Sequence, residues 1–184
     1  IMWQNWAWKS TLFKLINWGL QKISWVINID ANATIATSYQ VVLAEDKELS
    51  VGDFFRKYHP DKTQFNIDKD IKDILDVVNL KAPFDKQIKA FSWGQQARLL
   101  LAAALIQNPD ILLLDEPTNN LDKEWIWHLT TFLQNYKKTV LVISHDAEFL
   151  NSFTDWVIYL DSHTKITEQY VWDYNDVVDQ IKRK

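Results

Sequence analysis

The chain has 184 residues, no cysteine, and a formal net charge of -4 carried by 20 basic and 24 acidic side chains. That length allows one domain with a real core, and the mixing of signs excludes a strongly basic nucleic-acid face on totals alone. Disulfides and thiolate metal sites are excluded, the longest apolar run (Leu99 to Ile106) is far too short to span a bilayer, and no signal-peptide pattern is present, so a cytoplasmic protein without direct membrane insertion is expected.

The first residues read as a strand end, a loop and an amphipathic helix with Leu12, Leu15 and Ile16 on one face. Lys9, Ser10 and Thr11 stand at the loop-to-helix junction. A phosphate-binding P-loop has Gly-x-x-x-x-Gly-Lys-Ser/Thr at such a junction, because backbone N–H groups and a helix N-terminus close around the phosphates. From Val26 to Gln40 alternating residues predict two strands around an Asp30-Ala31-Asn32 turn, ending at Tyr39-Gln40. From Leu49 to Ile88 the pattern turns helical: Val51 opens one helix, and Ile71, Ile74, Leu75 and Val78 sit at helical spacing within 68–80. Lys57, Asp61, Lys62, Asp68, Lys69 and Asp70 are read as a solvated face, and His59 before Pro60 as loop punctuation.

Phe91-Ser92-Trp93-Gly94-Gln95-Gln96-Ala97-Arg98 then opens an Ala/Leu-rich helix running to Gln107, with Ser92 as its N-cap. Ser92 and the first-turn backbone would present donors suited to a phosphate. Next comes Pro109-Asp110-Ile111-Leu112-Leu113-Leu114-Asp115-Glu116-Pro117-Thr118-Asn119-Asn120-Leu121-Asp122. Its four aliphatics are too short for a free helix and too apolar for a surface strand, so they predict a strand buried on both faces of a parallel sheet. Asp115 and Glu116 emerge together at its carboxyl end, where open α/β sheets bind ligands, and paired carboxylates there call for a cation beside them. A helix over 125–134, a buried strand Thr139 to Ile143 ending in Ser144-His145-Asp146, and a strand Val157 to Leu160 come after it. Tyr170 to Tyr174 precedes a charged terminal helix; His128 and His163 lack motif context.

These strings, in this order, resemble the P-loop, Q-loop, signature, Walker B with D-loop, and H-loop of an ATP-binding cassette (ABC) ATPase domain. The resemblance implies an α/β P-loop NTPase of ABC type, with a mainly parallel sheet core and a helical subdomain. It implies one nucleotide-binding domain over 1–184, lacking the strands before the P-loop and the adenine-stacking aromatic, with an ATPase core at 1–48 and 104–184 and a helical subdomain at 49–103. By resemblance Asn5 and Lys9 bind the β/γ-phosphates of ATP together with Thr11, and Ser10, Gln40 and Asp115 hold Mg²⁺. Glu116 is the general base that orients the attacking water, and His145 contacts the γ-phosphate. Ser92, Trp93, Gly94, Gln95 and the D-loop residue Asp122 complete a site across the interface with a second ABC domain. Thr118 to Asp122, the Ser-His-Asp-x-x-Phe-Leu run and the Tyr-x-x-x-Tyr ending are most similar to ABC-F proteins, soluble tandem ATPases acting in translation on the ribosome and its rRNA. Asn120 replaces their usual His, and Ala103 an Arg usual in the signature helix. The ATP-binding subunit of a membrane transporter and a catalytically inactive interaction module are the competing readings.

Composition adds one further expectation. The chain carries 10 Trp and 3 Gly, where about 13 Gly would be ordinary for its length. Trp3, Trp6 and Trp8 occupy the glycine places of the P-loop, and Trp18, Trp25, Trp93, Trp125 and Trp172 fall at other places where the family carries glycine. Indoles would fill an anion cradle that needs close backbone approach and positive φ. These eight tryptophans are therefore expected to be UGA codons that the source cell reads as glycine, with deliberate glycine-to-tryptophan mutagenesis as the competing explanation, and the sequence with indoles at these places is expected not to turn over ATP.

Overall fold

The computed structural model describes Phe13, Ile16 and residues 29–60, 66–119, 121–160 and 167–170. The expected phosphate loop (Trp3, Asn5, Trp6, Trp8, Lys9, Ser10, Thr11), the strand begun at Val26 and the terminal helix lie outside the described residues. Three strands, β1 (Ile35–Ser38), β2 (Ile111–Asp115) and β3 (Thr139–Ile143), form a parallel sheet in the order β1-β2-β3. Ile35 pairs with Ile111, and Ile111 with Thr139. β2 is thus the middle strand, and Leu112, Leu113 and Leu114 are all fully buried. Their alternation explains why: Leu112 and Leu114 join the larger apolar cluster, while Leu113 joins a second one with Phe13 and Ile143. A strand covered on both faces has no polar alternation to show, in agreement with the uninterrupted aliphatic run.

Helix α1 (Val51–Tyr58) starts at Ser50, whose hydroxyl oxygen accepts from the Asp53 N–H at 3.1 Å. Helix α2 (Ile67–Val77) buries Ile71 and Leu75 as their spacing predicts. It ends before the expected Leu80 because Asn79 takes φ 47° and the Leu80 N–H turns back to the Leu75 carbonyl at 2.9 Å, a left-handed helix stop that asparagine tolerates. Helix α3 (Trp93–Leu105) buries Leu99 to Leu105 and packs on β1 and β2. Helix α4 (Lys123–Asn135) and the short α5 (Ala147–Asn151) are capped by Asp122 and Asp146. Beyond them β4 (Val157–Leu160) and β5 (Thr167–Tyr170) pair antiparallel.

The residue read as loop punctuation proves to be buried, and one residue of the solvated face is exposed as expected but paired. His59 is buried, with Nε2 3.2 Å from Asp70 Oδ2, so it ties the end of α1 to α2 as well as stopping a helix. Lys57 reaches back to the buried Asp46 at 2.6 Å and to Glu45 at 2.8 Å. The Asp46 hydrogen bond, then that of Glu45, holds its ammonium above the usual range. The Tyr58 hydroxyl donates to the other Asp46 oxygen at 2.7 Å; burial first, and this bond second, push its pKa up. A buried carboxylate with two such donors is satisfied rather than solvated.

Candidate active site

β2 delivers Asp115 as its last residue, and the chain then turns sharply. Glu116 takes φ 49°, a left-handed conformation that costs a non-glycine residue about 1–3 kcal/mol and survives where neighbours fix it. Here the neighbour is β3: the Glu116 N–H donates to the Ile143 carbonyl at 2.8 Å. The turn carries the Glu116 side chain under the end of β3, where it is 6% exposed. Both carboxylate oxygens meet the same residue. Oε1 lies 3.1 Å from His145 Nε2, and Oε2 accepts from the His145 backbone N–H at 3.2 Å. The residues on either side hold His145 in place, since the Asp146 N–H donates to Ser144 Oγ at 3.1 Å and Asp146 caps α5. The imidazole remains half exposed. A buried carboxylate and an accessible imidazole are thus fixed side by side, the pairing needed to hold and pass a proton at a solvent-facing edge.

Gln40, just beyond β1, shares one cleft with Ser38, Asp115, Glu116 and Asn119. Among the described residues no set of three Asp, Glu, His or Cys side chains converges on a metal position. Asp115 and Gln40 nevertheless bring a carboxylate and an amide oxygen to one cleft. That donor set fits Mg²⁺, which takes one or two protein oxygens and completes its shell with phosphate and water.

The other expected residues gather elsewhere. At the start of α3 the Ser92 hydroxyl accepts from the Gln95 N–H at 3.3 Å while the Gln95 side chain accepts from the Ser92 N–H at 3.0 Å. This capping box engages both polar side chains with the helix itself. Trp93 is 62% exposed beside it, and neither it nor Ser92, Gly94 or Gln95 lines the Glu116 cleft. Asp122 caps α4 by accepting the Trp125 N–H at 2.7 Å. Arg98 is the residue that sequence reasoning missed. The structure sets it between α3 and α4, 3.6 Å from Asp122 and with its guanidinium 4.4 Å from the Trp125 ring centre. Its place one turn into the helix after Gln95 was the signal available.

The glutamate at the end of a central parallel strand, the histidine at the end of its neighbour and the capped helix leading into that strand agree with a family model described as ABC transporter, which matches residues 2–119. The chain belongs to the ABC ATPase family. Over 96 residues it is 40% identical to the energy-dependent translational throttle protein EttA of Haemophilus influenzae, covering 52% of this chain and 17% of that one. Over 90 residues it is 43% identical to human ATP-binding cassette sub-family F member 3, covering 49% and 12%. The ABC-F likeness expected from Thr118 to Asp122 is met in these relatives, of whose length the chain spans less than a fifth. A solved metal-chelate type ABC transporter in an inward-facing conformation shares the fold, with a TM-score of 0.78 at 20% identity over 99% of this chain and 77% of that one. The α/β architecture with a parallel sheet is accordingly that of an ABC-type P-loop NTPase.

Proposed function

We propose that this chain is the ATP-binding and ATP-hydrolysing cassette of an ABC-F-type protein acting in translation. The observation that carries the proposal is the Glu116 carboxylate, buried at the end of β2 and held through both oxygens by His145, beside Asp115 and Gln40 in one cleft. Residues 49–103 serve as the helical subdomain, with α3 carrying the signature, and 1–48 and 104–184 as the ATPase core. Bound with the nucleotide, Mg²⁺ supplies charge neutralisation on the phosphate oxygens. Asp115 and Gln40 hold it together with Ser10; Lys9, Asn5 and Thr11 hold the phosphates. Glu116 accepts a proton from the attacking water, and the His145 ring, whose Nε2 lies on that carboxylate here, turns to the transferred phosphate when nucleotide is bound. Phosphoryl transfer asks for positioning and charge compensation more than covalent help, which suits a site made of one base, one imidazole and hard oxygen ligands. Ser92, Gly94, Gln95 and Asp122, standing apart from the cleft, face the nucleotide of a second cassette.

The translational reading rests on the likeness to relatives such as the translational throttle protein. One observation favours the transporter reading: Tyr39, Val41 and Leu43, flanking Gln40, are close to half exposed and apolar, a surface suited to an apolar partner. The test is to express the complete gene with Glu116→Gln, load it with Mg-ATP, and fractionate. Nucleotide-dependent co-sedimentation with ribosomes supports the ABC-F reading. Recovery with membranes supports the transporter subunit, and absence of nucleotide binding supports the inactive module.

A further inference from the structure

Arg98 is used on every side but one. Its Nη1 donates to the Asn79 carbonyl at 3.2 Å, at the residue whose φ of 47° ends α2. Its Nη2 lies 3.6 Å from Asp122 Oδ2, while Oδ1 of the same carboxylate accepts the first-turn N–H of α4. With Trp at position 125 its flat face also rests on that indole, while the contacts to Asn79 and Asp122 do not depend on it. The Arg98 Nε is buried without a hydrogen-bond partner, an unfavourable state that only the remaining contacts can offset. A planar guanidinium can donate from its edge while it stacks by its face, which an ammonium cannot. Rooted in α3, it joins the end of α2 to Asp122 at the start of α4.

Resting on the function proposed above, we propose that Arg98 is a positioning residue: it locks Asp122, at the start of α4, to α3, so that Asp122 and the Ser92–Gln95 turn meet the second cassette as one body. Neither group touches the Glu116 cleft, so Arg98 acts on turnover through alignment. The protein from the complete gene is compared with Arg98→Gln, Asp122→Asn and the double variant. Asn caps a helix as well as Asp, so Asp122→Asn removes the charge while keeping α4. The expected result is a kcat for ATP lowered about tenfold in Arg98→Gln with KM within about twofold, because misalignment far from the chemistry lowers turnover rather than nucleotide affinity. The double variant should be no slower than Asp122→Asn, because Arg98 acts through its contact with Asp122. A kcat unchanged in Arg98→Gln, or losses that multiply in the double variant, would overturn the proposal. Should Arg98→Gln not fold, amide exchange across 121–126 in Asp122→Asn decides: faster exchange than in the parent supports the lock, and unchanged exchange overturns it. Amide exchange across 121–126 without nucleotide gives a second readout: faster exchange in Arg98→Gln is expected, and unchanged exchange overturns the lock. A parent that hydrolyses no ATP would sink the function proposed above and leave the exchange measurement to judge the lock by itself.

Discussion

Glu116 carries an unfavourable φ, a buried carboxyl group and two bonds to one neighbour, three constraints that an ordinary surface acid after a strand would not need. Sequence alone located it together with Asp115 and His145, because apolar runs that end abruptly in ionisable side chains mark the edge of a parallel sheet. It did not reveal the tryptophans' surroundings. Two of the eight at glycine-like places fall among the described residues, and they differ. Trp93 is 62% exposed, whereas Trp125 is 3% exposed and stacked on His128 at 4.8 Å between ring centres. Packing of that kind depends on Val77, Leu101 and Leu105 arriving from other helices, which no local pattern encodes. In the chain with both indoles, Trp125→Gly should lower unfolding free energy by about 4–6 kcal/mol through the lost ring and a glycine in the helix. Trp93→Gly should cost under about 1 kcal/mol, as an exposed site does. Urea unfolding of the two variants checks this, and equal losses would contradict the packing of Trp125.

At the scale of elements, helical spacing and the Ser92 cap were legible because they are local, whereas the caps at Ser50 and Asp122 emerged only in the structure. β5 was not legible either, since Thr-Glu-Gln-Tyr has no apolar alternation and becomes a strand by pairing with β4. The join between β1 and β2 shows how a polar pair sets register. Asp110 Oδ2 accepts from both the backbone N–H and the hydroxyl of Thr34 at 2.9 Å, and Lys138 lies 3.5 Å from Oδ1. The Thr34 backbone bond first, and its hydroxyl second, hold the Asp110 carboxyl below the usual range. A depressed carboxyl stabilises the fold above its unfolded value, about pH 4, and that contribution is lost as pH falls through the lower folded value. Asp110→Asn should therefore reduce Tm at neutral pH, and the gap to the parent should close on acidification below about pH 4. A gap of constant size across that range would show that the charge contributes nothing.

For the whole molecule, membership in the ABC ATPase family follows from a family match over most of the chain, and the order of motifs was enough to foresee it. The partner and the pathway were not legible, because they depend on surfaces beyond a single cassette. The excess of tryptophan makes its own prediction at this scale: the coding triplets for Trp3, Trp6, Trp8 and Trp93 should be UGA, with UGG at Trp127. UGG at those four positions would end the recoding account. The measurement that bears most directly on the function is Mg-dependent ATP hydrolysis by the product of the complete gene, translated with the codon usage of its source, beside its Glu116→Gln variant. The account predicts turnover by the parent, and a variant that still binds ATP but is slower by about 10²–10⁴-fold, the share expected of a general base. Turnover in Glu116→Gln within about twofold of the parent would contradict it.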